Sequence, residues 1–346
     1  MFDTEYNVLF AFLTSLIITY VAIPKVIFFW ERYKLNDVAE TRMSNKRSIP
    51  VFGGIAIFSG ILCSLLFWSD FENIQFVITS LVIVFFVGIL DDLLGLSPYK
   101  KIIGQFLAIL IIIYFGDIRI DNMQGVLGIE HLSDYAATLF TIFVVIVIIN
   151  AFNLIDGVDG LASGIGIISA SCFGILALVM QQYDIAIIAF SLMGALLSFL
   201  KYNFPPAKLF MGDTGSLLVG MTLSVLAINL IRTGFVTEEF SYSQHGPILA
   251  IVFLAIPLFD SLRVFVLRIL KKTDPFSPAR DHIHHMLLAL GLGHKGVIII
   301  LYLGNLLLIG LTYFLLKIDI SWGIFLLAIF TYLLFFIPFY LKSKRK

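Results

Sequence analysis

The chain has 346 residues, of which 60% are hydrophobic and only 13% charged, and its 23 basic side chains balance 23 acidic ones to a formal net charge of zero. Soluble domains carry about 25% charged residues, so this composition, with a mean hydropathy of +1.00, excludes an ordinary soluble enzyme and indicates an integral membrane protein. Neutrality gives no electrostatic ground for a nucleic-acid partner, and Cys63 and Cys172 sit in apolar runs without metal-like spacing.

A helix needs roughly 20 apolar residues to cross hydrocarbon. Val8 to Phe29 is the first such window; its flank carries Asp3 and Glu5 instead of a basic stretch, so it is expected to be a retained span and not a removed signal. A basic loop follows, ending Met43-Ser-Asn-Lys46-Arg47-Ser-Ile-Pro50, suited to lipid headgroups or to a phosphate. Val51 to Trp68 and Ile74 to Leu90 come next, and the latter runs without a spacer into Asp91-Asp92-Leu-Leu-Gly95. Adjacent carboxylates persist as anions only beside a cation, a basic side chain or water, and Lys100 and Lys101 lie one to two helical turns further on.

After Ile102 to Phe115 and Ala136 to Ile149 stands Asn150-Ala-Phe-Asn153-Leu-Ile-Asp156-Gly-Val-Asp159-Gly-Leu161. Asp and Asn at the edge of a span are tolerated mainly beside a protein interior or a wet site, which makes the cluster a functional candidate for an ion or a phosphate. Beyond Leu161 to Met180 and Ile185 to Leu200, Pro205 and Pro206 break the helix ahead of Lys208-Leu-Phe210-Met-Gly212-Asp213-Thr-Gly215-Ser216. Free N–H groups at the start of the following helix would favour a phosphate or carboxylate there, and Asp213 could itself be the N-cap.

Ser216 to Ile231 and Pro247 to Ile269 are the next windows, the second with Asp260 and Arg263 three apart, read as a buried structural pair. Arg280-Asp281-His282-Ile-His284-His285 then precedes Val297 to Leu316 and Trp322 to Leu341. Three His invite zinc, but the oxygen-rich Asp and Asn segments suit magnesium better, leaving the imidazoles and Arg280 as donors to phosphate or sugar.

The windows predict an all-α polytopic membrane protein of ten or eleven spans. With the N-terminus outside, seventeen Lys and Arg fall on one side, three (Arg119, Arg232, Lys317) on the other and three inside spans, so the positive-inside rule predicts N-out, C-in and the motifs on the cytoplasmic face. No repeat or low-complexity segment divides the chain, so residues 1–346 are expected to form one domain. Its active-site loops would lie near 31–50, 91–101, 150–160, 201–215 and 270–296.

Together, Asp91-Asp92-Leu-Leu-Gly95, the Asn150 to Leu161 segment, Met211-Gly-Asp213-Thr-Gly-Ser216 and His282-Ile-His284-His285 resemble, in order, the motifs of the polyprenyl-phosphate N-acetylhexosamine-1-phosphate transferase family. The resemblance covers nearly the whole chain. Gly95 and the His-Ile-His-His form look more like the branch that acts on UDP-GlcNAc than like the phospho-MurNAc-pentapeptide translocases of peptidoglycan synthesis.

The resemblance implies transfer of a sugar-1-phosphate from a UDP-sugar to polyprenyl (undecaprenyl) phosphate at the plasma (inner) membrane, with release of UMP and use of Mg2+ or Mn2+. By the same resemblance, Asn153 and Asp213 look like the metal ligands, with Asp156 nearby. Asp159 and Phe210 look like the uridine site, and Asp91 and Asp92 like the pair that orders the lipid phosphate or takes its residual proton. Arg280, His282, His284 and His285 resemble the loop that contacts sugar and diphosphate, and Lys46 matches a basic position in the first loop. Whether the chain forms a homodimer stays open. A transporter or lipid flippase is the rival of another class, disfavoured because the carboxylates gather at one face and no inverted repeat is evident.

Overall fold

In the computed structural model the described residues are 4–33, 49–236, 241–242, 245–272 and 282–343. Each apolar window is helical. The helices are α1 (Thr4–Arg32), α2 (Gly53–Trp68), α3 (Phe71–Leu94), α4 (Pro98–Tyr114), α5 (Asp134–Ile155), α6 (Leu161–Val179), α7 (Tyr183–Asn203), α8 (Gly212–Thr233), α9 (Gly246–Phe253), α10 (Ala255–Leu270), α11 (Ile283–Ala289), α12 (His294–Leu315) and α13 (Ile320–Ser343). Seven of them are long and apolar enough to cross a membrane, and α9 with α10 makes an eighth if the bent pair counts as one span. That is fewer than the ten or eleven expected, because α2, with 16 residues, α4, with 17, and the described apolar stretch of α13, Ile320–Leu334, are shorter than a full crossing. The protein is an all-α polytopic membrane protein carrying two small antiparallel hairpins the apolar pattern did not signal: β1 (Asn122–Val126) with β2 (Ile129–His131), and β3 (Phe235–Val236) with β4 (Ser241–Tyr242).

The window expected as one helix over Pro247 to Ile269 is bent by 81° between α9 and α10. Pro257 explains the break: its ring excludes the carbonyl four residues earlier, which is that of Phe253, the last residue of α9. The freed carbonyl accepts instead from the Ser169 hydroxyl of α6 at 2.6 Å. Broken helices persist in hydrocarbon when a neighbour satisfies such groups.

Helix α8 is the axis of the bundle: 94% of its apolar stretch is buried, against 17% for α1. Small residues let its neighbours close on it. A methyl group on Gly54 would collide with the backbone of Gly215, one on Gly88 with that of Thr214, and one on Gly220 with that of Ile149. Buried hydroxyls tie the outer helices together, as where Ser15 donates to the Ser191 carbonyl at 2.6 Å and Ser64 to that of Ala11 at 2.7 Å.

Helix ends carry the motifs. α3 begins at Asp70, whose carboxylate accepts from the Glu72 N–H, and runs on through Asp91 and Asp92 to Gly95, whose φ of 63° closes the helix in the left-handed region. Asn150 and Asn153 lie in the last turns of α5, and Asp213 in the first turn of α8.

Candidate active site

Four helix termini converge at one end of the bundle. Asp91 uses one carboxylate oxygen to accept the Leu96 N–H at 2.8 Å, which fixes the turn into α4. Its other oxygen meets the Lys101 ammonium at 2.9 Å, and the same ammonium lies 2.8 Å from Asp213 Oδ1. Lys101 thus bridges α3 and α8. It is 13% exposed and Asp91 only 9%, whereas Asp213 keeps 30%, so the Asp213 side is the open one.

Asp92 faces α8 with both oxygens. It accepts the N–H of Asp213 at 2.8 Å, the N–H of Thr214 at 3.0 Å and the Thr214 hydroxyl at 2.6 Å. The start of α8 was expected to offer free N–H groups to a phosphate, with Asp213 a candidate N-cap. Instead a carboxylate from α3 takes the cap role, satisfying two orphan donors and the positive end of the helix dipole. Gly212 makes the approach possible: with φ of 73°, it has the Val51 carbonyl and the Asp92 carboxylate where a Cβ would stand.

The Asn153 amide donates to Asp213 Oδ1 and, at 2.9 Å, to the Ser216 hydroxyl. Asn150 turns back on its own helix, donating to the Ile146 carbonyl at 2.7 Å. Asp156 caps α5 at the helix end. Burial first, then the carboxylates of Asp213, Asp92 and Asp159, push its carboxyl well above the ordinary range. The region is therefore rich in carboxylates and short of positive charge, with Lys101 shared between two of them.

Asp159 points elsewhere, accepting the Ala207 N–H at 3.1 Å and lying 3.3 Å from His294 Nδ1. Phe210 belongs to the same 204–211 loop and is anchored by its backbone: its N–H donates to the Pro50 carbonyl at 2.8 Å and its carbonyl accepts from Gly53 at 3.0 Å. Its ring is half-buried. The buried Asn203 clamps the two loops, accepting from the Gly160 N–H at 2.8 Å and donating to the Leu209 carbonyl at 3.0 Å.

The three His form a separate stack. His282 and His284 rings are parallel, 5.5 Å apart, and His284 lies 4.3 Å from His285. Burial, with His285 beside it, pushes His284 down to about 4, so it is neutral at pH 7. It touches the carboxylate end at Gly157, where an added Cβ would stand 3.1 Å from His284 Nε2. Lys46 and Arg280 lie outside the described residues.

The structure thus gathers Asp91, Asp92, Asn153 and Asp213 directly and sets Asp156 within their field. It groups His282, His284 and His285 beside them and places Asp159 and Phe210 along a neighbouring loop. Sequence reasoning did not single out Asn203 or His294, read Lys101 only as a nearby counter-charge, and did not connect Asp260 to His282. Polar residues next to a proline break or a glycine, as Asn203 and His294 are, were the available signal.

Among the described residues no three His, Cys, Asp or Glu side chains come together as a self-sufficient metal cage. Magnesium does not need one: it commonly takes one or two protein oxygens plus water and substrate phosphate. Asp213 with Asn153 fits that pattern. A cationic ammonium already rests on Asp213 Oδ1, and turning the Asn153 amide by 180° would present its oxygen at the same place.

A bundle of membrane helices with an oxygen-rich, carboxylate-laden end defines a class of membrane enzyme acting on anionic groups. The model of glycosyl transferase family 4 matches residues 74–231, and the chain belongs to that family. It is 30% identical over 300 residues to the probable undecaprenyl-phosphate N-acetylglucosaminyl 1-phosphate transferase of Bacillus subtilis (strain 168), covering 86% of this chain and 82% of the relative. The undecaprenyl-phosphate alpha-N-acetylglucosaminyl 1-phosphate transferase of Haemophilus influenzae is 33% identical over 265 residues, 75% of this chain and 73% of the relative. A phospho-N-acetylmuramoyl-pentapeptide-transferase of Borrelia turicatae is 33% identical over 271 residues, 66% of this chain and 74% of the relative.

Proposed function

We propose that this protein transfers GlcNAc-1-phosphate from UDP-GlcNAc to undecaprenyl phosphate or a similar polyprenyl phosphate. UMP is released, and the lipid-linked diphosphate sugar starts a cell-envelope glycan. The names of its relatives support this reading. The observation that carries it is the joining of Asp91 and Asp213 on one shared cation, Lys101, with the Asn153 amide donating to the same Asp213 oxygen.

In the reaction an oxygen of the lipid phosphate bonds to the phosphorus that carries the sugar, and the bond from that phosphorus to UMP breaks. The second pKa of a phosphate monoester is about 6, so the nucleophile is already mostly dianionic at pH 7. The barrier is then largely the approach of two anions, which positioned positive charge lowers. Mg2+ or Mn2+, held by Asn153 and Asp213, would supply that charge and align the phosphates.

Lys101 offers an ammonium to phosphate oxygens from between Asp91 and Asp213. Asp91 orders it, and Asp92 fixes the first turn of α8 so that Asp213 faces outward. The raised carboxyl of Asp156 can hold the residual proton of the lipid phosphate. Asp159 and Phe210 receive the uridine, the ring stacking on uracil. The His282, His284 and His285 stack, with Arg280 and Lys46, contacts sugar and diphosphate. The distribution of basic residues supports a cytoplasmic-facing site at the plasma membrane, with the N-terminus outside.

The Borrelia relative favours one second reading, phospho-MurNAc-pentapeptide transfer. Both are tested by incubating purified protein with undecaprenyl phosphate, Mg2+ and a panel of radiolabelled UDP-sugars including UDP-MurNAc-pentapeptide, and counting label in the organic phase. Label from UDP-GlcNAc is expected. Label from the pentapeptide donor alone would select the second reading, and none from any donor would overturn both.

A further inference from the structure

We infer that Asp260, on α10, is a positioning residue for this transfer: it grips His282 by Nδ1 and so turns Nε2 toward the reacting groups. The inference rests on the function proposed above and assigns a role to a residue outside its motifs.

Asp260 is fully buried, just past the bend that Pro257 creates. Three donors converge on it. His282 Nδ1 lies 2.9 Å from Oδ2, while the Ile283 N–H and Arg263 Nη2 reach Oδ1 at 2.9 and 3.1 Å. A buried carboxylate is costly unless paired and fully hydrogen-bonded, and here Arg263 supplies the charge and the other two complete the shell. A carboxylate on one ring nitrogen fixes the imidazole's orientation and makes the other nitrogen the working one.

The same grip locates α11. With seven residues it is too short to hold its own conformation, so the Ile283 N–H bond to Asp260 sets where the helix starts. From there contact passes from the His282 ring to that of His284 and on to the glycine beside Asp156. Asp260 thus ties a bent membrane helix to the carboxylate end through two imidazoles.

A purely structural role would be capping of α11, and the two roles separate in a double-mutant cycle. Asp260→Asn keeps the shape and an oxygen for the Ile283 N–H but loses the charge that grips the imidazole. Asp260→Asn, His282→Ala and the double variant are assayed for kcat, for KM of UDP-GlcNAc and for Tm in detergent.

The expected result for Asp260→Asn is a kcat lowered about 10- to 100-fold, in the range seen for partners that orient a working His. KM should stay within about threefold, Tm should fall because the Arg263 charge loses its buried carboxylate, and, per folded protein, the same substitution in the His282→Ala background should change kcat by less than about twofold. Equal losses in both backgrounds, a kcat that falls only in step with the folded fraction, or full activity of His282→Ala would overturn the inference. A wild-type protein that labels no lipid fails the proposed function itself, a result distinct from an active wild type with additive losses.

Discussion

The carboxylate end and the histidine stack touch at Gly157 yet are built on opposite electrostatic plans. Around Asp260 the charges match: one buried carboxylate meets one guanidinium and two further donors. At the helix termini stand Asp91, Asp92, Asp156 and Asp213, of which Asp91 and Asp213 share the Lys101 ammonium, and burial with the neighbouring carboxylates holds Asp156 well above its ordinary range. A balanced cluster holds itself together, whereas an unbalanced one is a standing demand for positive charge. The contrast suits the carboxylate end to taking up a cation and the Asp260 cluster to holding His282 in place.

The largest effect should follow from removing charge at the unbalanced cluster. Asp213→Asn keeps the shape and the neighbours of the side chain while deleting the carboxylate nearest the open side. Turnover in the lipid-labelling assay should fall by about 100-fold or more, the scale of losing a transition-state contact, with the variant still monodisperse in detergent. Activity within a few fold of wild type would remove Asp213 from the metal site.

Much of this contrast was legible before the coordinates, though unevenly. Apolar windows located the long helices because hydropathy reports removal from water, into lipid or protein alike, and the pairing of Asn153 with Asp213 came from the family resemblance. The partner of Asp92 did not, because the α8 donors lie 121 residues away and no periodicity links a carboxylate to another helix's cap. Asp260 and Arg263 were visible as an i,i+3 pair, but the third member, His282, is 22 residues further along the chain. The ninth window reads as one helix although it contains Pro257, and the 81° bend there leaves the Phe253 carbonyl to Ser169, a partner on another helix that local pattern does not reveal.

Next in size is Lys101→Met, which leaves Asp91 and Asp213 facing each other without the cation between them. Breaking a buried ion pair from one side costs about 3 kcal/mol, so the variant should melt well below wild type in a detergent thermal shift. Millimolar Mg2+ should recover more of that loss than the same ionic strength of Na+, because a divalent ion can take up the unpaired carboxylates. A Tm unchanged from wild type would mean the bridge contributes nothing to holding α3 and α8 together.

The histidine stack gives a different signature under acid. His284 has a folded pKa of about 4, below its ordinary 6.5, so between those values the unfolded chain binds a proton the folded one refuses. Its contribution to stability is therefore complete above pH 6.5 and is lost as pH falls toward 4, by up to about 3 kcal/mol. His284→Leu removes this titration while filling the same buried space. The gap in Tm between variant and wild type should narrow on acidification from pH 7 to pH 4.5, or reverse; a gap constant with pH would show that His284 is not held neutral.

The smallest effect tests the neighbouring 204–211 loop. Phe210 is fixed by backbone bonds to Pro50 and Gly53, so Phe210→Ala should leave the loop in place and remove only the ring. Stacking of a base on an aromatic ring is worth about 1–3 kcal/mol, and a half-buried ring that already packs partly on protein belongs at the lower end. KM for UDP-GlcNAc should rise about fivefold to tenfold, with KM for the polyprenyl phosphate and Tm nearly unchanged. An unchanged nucleotide KM would take Phe210 out of the uridine site and leave Asp159, with His294 3.3 Å away, as the place to look for the base.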